Sequence, residues 1–264
     1  MVDIGEKIFE GGSFLDNYAN YPVLIGATGG SGTRIFAKIC IDVGIYMGAK
    51  LNESLDSLSF YDFYNFWINK SWNRNQFDND QTAQRDKDFR QCVADHRAAI
   101  PHTNARWGWK GPRSMFLVEL FYKHYPGLKF IHVVRDGRDM AYSENQNQLH
   151  AHGQVLLGMQ FGNLRKPYCS ILLWNVINRS VAKFGESVMG DRYLRIRFED
   201  ICTKPVLTGR LLIDFLGCHD ADVRALTHSV RVPVSIGRWR LQPQEEIEKL
   251  EELGGISLKY FGYI

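Results

Sequence analysis

The chain has 264 residues, of which 45% are hydrophobic and 13% aromatic, and this composition excludes an intrinsically disordered protein. Its formal net charge of +3 is far from that of a protein that binds nucleic acid through a basic surface. The longest apolar runs are strand-sized and exclude a membrane span. We therefore predict one enzyme domain over residues 1–264.

Two features of the sequence predict a cytoplasmic protein. The segment from Met1 to Gly12 carries Asp3, Glu6 and Glu10, which is unlike a secretory signal. The five cysteines are an odd number and contain no C-x-x-C motif, which is typical of reduced thiols in the cytosol.

Short apolar runs alternate with longer segments of helical pattern along the chain. Predicted strands cover Val23 to Gly26, Arg106 to Trp109, Phe130 to Val134 and Tyr193 to Ile196. Predicted helices cover Thr33 to Met47, Phe60 to Asn69, Gln81 to Ala99, Ser114 to His124, Ile171 to Gly185 and Leu207 to Leu216. Polar stretches at Asn73 to Asp80 and Asn145 to Gly153 predict loops. The alternation predicts an α/β fold whose central parallel sheet has helices on both faces.

The turn after the first predicted strand carries the first functional signal. The segment from Tyr21 to Cys40 reads YPVLIGATGGSGTRIFAKIC, in which an apolar run ends in a glycine-rich turn that opens into a helix. Such a turn directs backbone N–H groups and the helix dipole at one anion. Gly32 stands where a Walker A loop has its lysine, and the glycines do not match G-x-G-x-x-G. The predicted anion-binding residues are Gly29, Gly30, Ser31, Gly32, Thr33 and Arg34.

A second turn of the same kind follows about a hundred residues later. The segment from Lys129 to Ser143 reads KFIHVVRDGRDMAYS, in which a strand ends at Arg135 and a helix carries Ser143 eight positions on. The planar guanidinium of arginine suits a phosphate that must be held firmly. Two such turns indicate a ligand with phosphate at both ends.

Taken in order, these motifs resemble the sulfotransferases that use 3′-phosphoadenosine 5′-phosphosulfate (PAPS). Ser31-Gly32-Thr33 is similar to the family's 5′-phosphosulfate loop, and Arg135 with Ser143 is similar to its 3′-phosphate pair. Further likenesses lie in WGWKGPR (Trp107 to Arg113), in YLRIRFEDICTKPVLTGRLLIDFLG (Tyr193 to Gly217) and in SIGRWR (Ser235 to Arg240). The ending LEELGGISLKYFGYI resembles the tail of tyrosylprotein sulfotransferases.

The resemblance implies a P-loop-like nucleotide fold and a reaction. PAPS would be the co-substrate, with no metal, and the sulfuryl group would pass in line to a hydroxyl or amine. The SIGRWR loop, with Arg238 and Trp239, would close over the nucleotide. The acceptor stays open among small molecules, carbohydrates and peptides, and neither a nucleic acid nor a membrane span is expected.

The resemblance also implies catalytic residues. Lys110, at the predicted end of a strand, would stabilise the charge of the leaving 5′-phosphate. Glu53, twenty-two residues beyond Ser31, would be the base, with Asp56 as the near alternative. Two histidines, His96 and His102, are rivals for this role.

Departures from the family's pattern keep other readings open. Many members carry a basic residue where this chain has Gly30, so the positive charge at the phosphosulfate would come from Arg34 or Lys110. Phe198 replaces the usual tyrosine of the family's R-Y-E-D turn. The alternatives are a P-loop kinase or NTPase, and a relative that binds adenosine 3′,5′-bisphosphate without catalysis.

Overall fold

The computed structural model describes residues 21–72, 77–102 and 105–264. Four parallel strands form one sheet: β1 (Val23–Ala27), β2 (Gly108–Lys110), β3 (Lys129–Val134) and β4 (Tyr193–Arg197). The described helices are α1 (Arg34–Asp42), α2 (Tyr61–Trp72), α3 (Asn79–Arg97), α4 (Val118–His124), α5 (Gly137–Ala141), α6 (Asn147–Leu157), α7 (Gln160–Asn163), α8 (Lys166–Phe184), α9 (Phe198–Thr203), α10 (Pro205–Leu216), α11 (Val223–Thr227) and α12 (Gln244–Tyr260). None of these helices combines the length and apolar character that a bilayer-spanning segment requires.

The strand order β2-β1-β3-β4 determines where a ligand site is expected. The chain leaves β1 for one neighbour, β2, and later returns to the other side of β1 as β3. Val23 pairs with Gly108 in β2 and with Lys129 in β3. The order of the strands therefore reverses between β1 and β3, and open α/β sheets bind ligands at the carboxyl ends of the strands beside such a switch point.

Alternate residues of the central strands enter separate cores on the two faces of the sheet, as the period of two of a β-strand requires. Leu24 and Phe130 belong to a large aromatic core with side chains from α2, α3, α4, α6 and α8. Ile25 and Ile131 belong to a second core with side chains from α1, α9, α10 and α11. Helices on both faces bury the sheet and leave its carboxyl edge for loops.

The predicted α/β class with a parallel sheet is confirmed, but two predicted boundaries are wrong. The first helix ends at Asp42 rather than Met47, because Gly44 adopts a φ of +82° that a helix cannot continue through. The segment from Asn145 to Gly153 is not a loop, since α6 begins at Asn147 and packs an apolar face into the aromatic core. Of the loop predicted from Asn73 to Asp80, residues 73–76 lie outside the described residues and α3 begins at Asn79.

Candidate active site

The loop after β1, residues 27–34, is shaped by two glycines in left-handed conformations. Gly30 and Gly32 have φ values of +88° and +73°, which residues with a Cβ rarely adopt. A Cβ on Gly30 would lie 2.7 Å from the Oγ of Ser143, and one on Gly32 would lie 2.0 Å from the ring of Phe198. The loop after β1 therefore packs against both the segment after β3 and the start of α9.

The same loop presents donors without protein acceptors. Among the described residues, the backbone N–H groups of Gly30, Gly32 and Thr33 donate to no acceptor. The side chains of Ser31 and Thr33 are buried beside them, and the hydroxyls of Thr28 and Ser31 are 3.1 Å apart. Converging N–H and O–H groups at the start of α1 form a site suited to a compact anion.

Gln148, on α6, forms two hydrogen bonds with the backbone of this loop. Its Nε2 donates to the carbonyl of Ala27 at 3.0 Å, and its Oε1 accepts the N–H of Gly29 at 3.1 Å. The sequence analysis missed this residue because it interpreted the segment as a loop. A glutamine at the buried start of an amphipathic helix was the available signal.

Arg135 follows β3 and lies against the loop after β1. Its guanidinium donates to the carbonyl of Gly30 at 3.1 Å and to that of Ser235 at 2.6 Å. The side chain is 5% exposed, and its Nε has no hydrogen-bond partner among the described residues. The carboxylate of Asp139 faces Nη2 at 3.7 Å but leaves Nε unsatisfied, and an unsatisfied buried donor is costly unless an acceptor such as an anion completes it. The hydroxyl of Ser143 lies beside Gly30.

The C-terminal loop, residues 235–240, is held over this site by Asp139 of α5. The carboxylate of Asp139 accepts the backbone N–H of Gly237 at 2.9 Å and that of Trp239 at 3.3 Å. Asp139 is 1% exposed, so the loop is anchored to a buried charge. The sequence analysis assigned no role to this residue.

The two predicted residues of this loop, Arg238 and Trp239, are both half-buried beside the second turn. Arg238 donates to the carbonyl of Tyr142 at 3.1 Å. Burial, followed by the positive charge of Arg135, lowers the pKa of Arg238. The Trp239 ring lies 3.8 Å from the guanidinium carbon of Arg138. Arg138 is paired with Asp136 and Glu251, so the positive charge that favours a phosphate here is that of Arg135 and Arg238, with the carboxylate of Asp139 facing Arg135.

Lys110 ends β2 and is paired with Asp56. Its side chain is 1% exposed, and its Nζ donates to Asp56 at 2.5 Å and to the carbonyl of Ser54 at 2.6 Å. Burial lowers the pKa of Lys110, the charge of Arg34 lowers it further, and Asp56 opposes both effects. The influence of Arg34, which is itself exposed, places Lys110 within electrostatic reach of the loop after β1.

The carboxylate of Asp56 is held by its own loop. Asn52 accepts the backbone N–H groups of Ser54 and Asp56, both at 2.9 Å, and donates to the Asp56 carboxylate at 3.2 Å. Leu55 between them has a φ of +64°, an unfavourable conformation for a branched residue. The loop therefore imposes backbone strain next to the carboxylate that meets Lys110.

The structure separates Glu53 from this group. Glu53 is exposed, and its side chain makes no hydrogen bond or ion pair in the part of the chain that the structure describes. His96 is buried between the Ser57 hydroxyl and the Gly108 carbonyl, where burial lowers its pKa to about 4. His102 is exposed. Of the candidate bases, Asp56 is the one that contacts Lys110.

A cleft of about 170 Å³ opens beside these residues. Its lining comes from the Asp56 loop and the start of α2 (Asn52, Asp56, Leu58, Tyr61), from the segment after β2 (Gly111, Arg113), from the loop after β1 (Gly29) and from α6 with the residues before it (Asn145, Gln148). The cleft thus extends from the Asp56 carboxylate to the loop after β1.

Comparison with known families and structures adds independent findings. A sequence model described as the sulfotransferase family matches residues 53–222. The match includes Asp56, Lys110, Arg135 and Ser143, and begins after the loop that follows β1. No curated protein sequence matches the chain.

Solved structures agree with the fold. Sulfotransferase STF9 from Mycobacterium avium superposes with a TM-score of 0.53 at 12% identity, over 91% of this chain and 76% of that one. Sulfotransferase STF1 from Mycobacterium tuberculosis H37Rv superposes with a TM-score of 0.51 at 12% identity, over 89% of this chain and 76% of that one. At this identity the likeness concerns the fold.

Proposed function

Since the chain belongs to the sulfotransferase family, we propose that it transfers a sulfuryl group from PAPS to a hydroxyl or amine of a second substrate. One observation carries the choice of donor: two anion sites lie side by side at the switch point of the sheet. The first is the loop after β1, where three N–H donors have no acceptor among residues 21–72, 77–102 and 105–264, and the second is Arg135, whose Nε has none there either.

The two sites divide the phosphates of PAPS between them. The loop from Gly29 to Arg34 binds the 5′-phosphosulfate through backbone N–H groups and the hydroxyls of Ser31 and Thr33. Arg135 and Ser143 bind the 3′-phosphate. Arg238 and Trp239 cover the nucleotide from the C-terminal loop. This assignment is supported by the contact between Arg135 and the loop, since the guanidinium donates to the carbonyl of Gly30 at 3.1 Å.

In the transfer step, the bond between sulfur and the bridging oxygen of the 5′-phosphate breaks while the acceptor oxygen bonds to sulfur. The leaving phosphate gains negative charge, and the protonated Lys110 stabilises it. The acceptor proton passes to a carboxylate, which must lie within hydrogen-bond reach of the acceptor. We assign this role to Asp56 in preference to Glu53, because Asp56 lines the cleft and contacts Lys110.

The proposal is tested by incubating the protein with PAPS and acceptor mixtures that contain phenols, sugars and alcohols. Adenosine 3′,5′-bisphosphate should form together with a product whose mass has increased by one SO₃ group, and a metal chelator should not abolish the reaction. Bisphosphate binding without turnover across the panel would instead favour a binding protein that lacks catalysis. Phosphate transfer from ATP that requires magnesium would favour a kinase.

A further inference from the structure

The wall of the cleft beyond Lys110 carries a positive charge that the transfer step does not use. Arg113 follows β2 and lines the cleft together with Tyr61 and Leu58. Its guanidinium carbon lies 5.3 Å from the centroid of the Tyr61 ring, and its Nη1 donates to the side-chain oxygen of Asn65. Both contacts are made to α2, so this guanidinium belongs to the wall formed by α2.

No carboxylate neutralises Arg113 in the part of the chain that the structure describes. Asp56 is the one acidic residue among those that line the cleft, and Lys110 already pairs with it. The charge of Arg113 extends to the buried His152, whose pKa is lowered to about 4 first by burial and then by Arg113. The cleft therefore has an uncompensated positive charge before any ligand enters.

The contact with Asn65 holds the guanidinium in place and leaves part of it available. Because that contact uses Nη1, the edge formed by Nε and Nη2 has no acceptor among the described residues. Such an edge forms paired hydrogen bonds with a carboxylate. Leu58 and Tyr61 are 46% and 52% exposed at the same wall, so they offer apolar contact to the body of a ligand.

We propose that the acceptor is a hydroxylated organic acid, whose carboxylate binds Arg113 while its hydroxyl meets Asp56. This inference rests on the proposed sulfuryl transfer, which defines the cleft as the acceptor site. It adds a substrate class, an anionic acceptor with an apolar or aromatic body, and a residue that selects it.

The test uses two pairs of compounds that differ only in charge: 4-hydroxyphenylacetate with 4-hydroxyphenylacetamide, and 6-hydroxyhexanoate with its amide. Binding is measured by calorimetry with and without adenosine 3′,5′-bisphosphate, and kcat/KM is measured with PAPS. The protein should prefer the acid of at least one pair by about tenfold or more, as expected for charge-assisted hydrogen bonds. In Arg113→Gln this preference should fall to near one, because the acid loses far more affinity than the amide, and the affinity for the bisphosphate should stay unchanged.

Arg90→Gln is the matched control, because Arg90 is exposed on α3 and does not line the cleft. It should keep the full preference for the acid. Equal binding of acid and amide by the unaltered protein, no binding of either pair, or an unchanged preference in Arg113→Gln would each overturn the inference. Loss of bisphosphate affinity in Arg113→Gln would assign Arg113 to the donor and overturn it as well.

The failure of the proposed function is a separate result. If the unaltered protein does not bind adenosine 3′,5′-bisphosphate, the donor assignment is wrong. The acid-to-amide ratio measured without nucleotide still reports on Arg113 in that case.

Discussion

At the residue scale, the pair of Lys110 and Asp56 is the centre of the proposed chemistry. A lysine that is 1% exposed is stabilised by a carboxylate at 2.5 Å, and Asn52 holds that carboxylate from the other side. In the proposed reaction, the leaving phosphate of PAPS would compete with Asp56 for the lysine. The carboxylate would then be available to take the proton of the substrate hydroxyl. The contact between Lys110 and Asp56 would thus link stabilisation of the leaving group to removal of that proton.

Replacement of the base is the first prediction. Asp56→Asn should lower kcat by about 10²- to 10⁴-fold on a neutral hydroxyl acceptor, because it removes the proton acceptor. Glu53→Gln should leave kcat unchanged, since Glu53 is exposed and does not line the cleft. Both effects are measured as steady-state rates with PAPS, alongside the affinity for the bisphosphate, which should survive in both variants.

A phenol that is already ionised at the assay pH separates the base from the leaving-group cation. This acceptor needs no base, so it should reduce the defect of Asp56→Asn and leave the defect of Lys110→Ala in place. Full activity of Asp56→Asn on a neutral alcohol would show that the base lies elsewhere.

The second prediction concerns the 3′-phosphate. Arg135→Ala should weaken binding of adenosine 3′,5′-bisphosphate by about tenfold or more, because charge-assisted hydrogen bonds contribute roughly 1.5–3 kcal/mol. Its effect on 5′-AMP, which lacks the 3′-phosphate, should be small. Calorimetry with both ligands measures the difference. Equal losses for the two nucleotides would remove Arg135 from this role, and the exposed Arg90→Ala serves as the control.

At the element scale, the site depends on contacts between segments that are far apart in the chain. The C-terminal loop reaches the second turn through Asp139, and α6 reaches the first turn through Gln148. The position of Lys110 at the end of β2 depends on the pairing of β2 with β1. The two strands approach so closely that a Cβ on Gly108 would lie 2.0 Å from the carbonyl oxygen of Val23. Each of these contacts fixes a functional group that its own segment does not position.

The third prediction tests the anchor of the C-terminal loop. Asp139→Asn keeps the size of the side chain but leaves only one oxygen to accept the two N–H groups, and it removes the charge that faces Arg135 at 3.7 Å. The backbone N–H groups of Gly237 and Trp239 should exchange with solvent faster. Dissociation of the bisphosphate should accelerate by about tenfold, as expected when a hydrogen bond to a charged group is lost.

Hydrogen exchange and stopped-flow dissociation check the two outcomes. Glu245→Gln, at the exposed start of α12, is the matched control and should change neither quantity. Unchanged exchange in Asp139→Asn would show that the loop is held by other contacts.

At the scale of the whole molecule, three histidines are buried in the neutral form. Burial lowers the pKa of His96, His132 and His152 from 6.5 to about 4. Protonation therefore favours the unfolded chain, in which these groups take up protons at their ordinary pKa. The stability they confer is complete above pH 6.5 and is lost as the pH falls towards about 4.

The fourth prediction follows from this linkage. Between pH 6 and pH 4.5 each buried histidine should add about 1.4 kcal/mol per pH unit to the slope of the unfolding free energy. His132→Gln should reduce the slope by that amount, whatever its effect on stability at neutral pH. Urea unfolding at several pH values measures the slope. His228→Gln, at an exposed position, should leave it unchanged.

Much of the fold was predictable because its signals are local. The strands and their alternation with helices follow from short apolar runs, and all four predicted strands lie within a few residues of the observed ones. The first helix was predicted too long because apolar residues continue beyond Asp42, where Gly44 turns the chain. The helix α6 was missed because its polar first turn resembles a loop. In the structure Gln148 of that turn is buried against the loop after β1.

The sequence by itself predicts the chemistry of the two turns. A glycine-rich turn between a strand and a helix directs N–H groups at an anion whatever packs around it, and the planar guanidinium of Arg135 suits a phosphate. The tertiary structure alone decided which carboxylate contacts Lys110 and how Gln148 and Asp139 hold the two turns. It also decided that Arg113 lines the cleft with no carboxylate partner among the residues that the structure describes. The physical reason is that the charge and burial of a side chain depend on partners that are distant in the chain, and sequence spacing does not encode such distances.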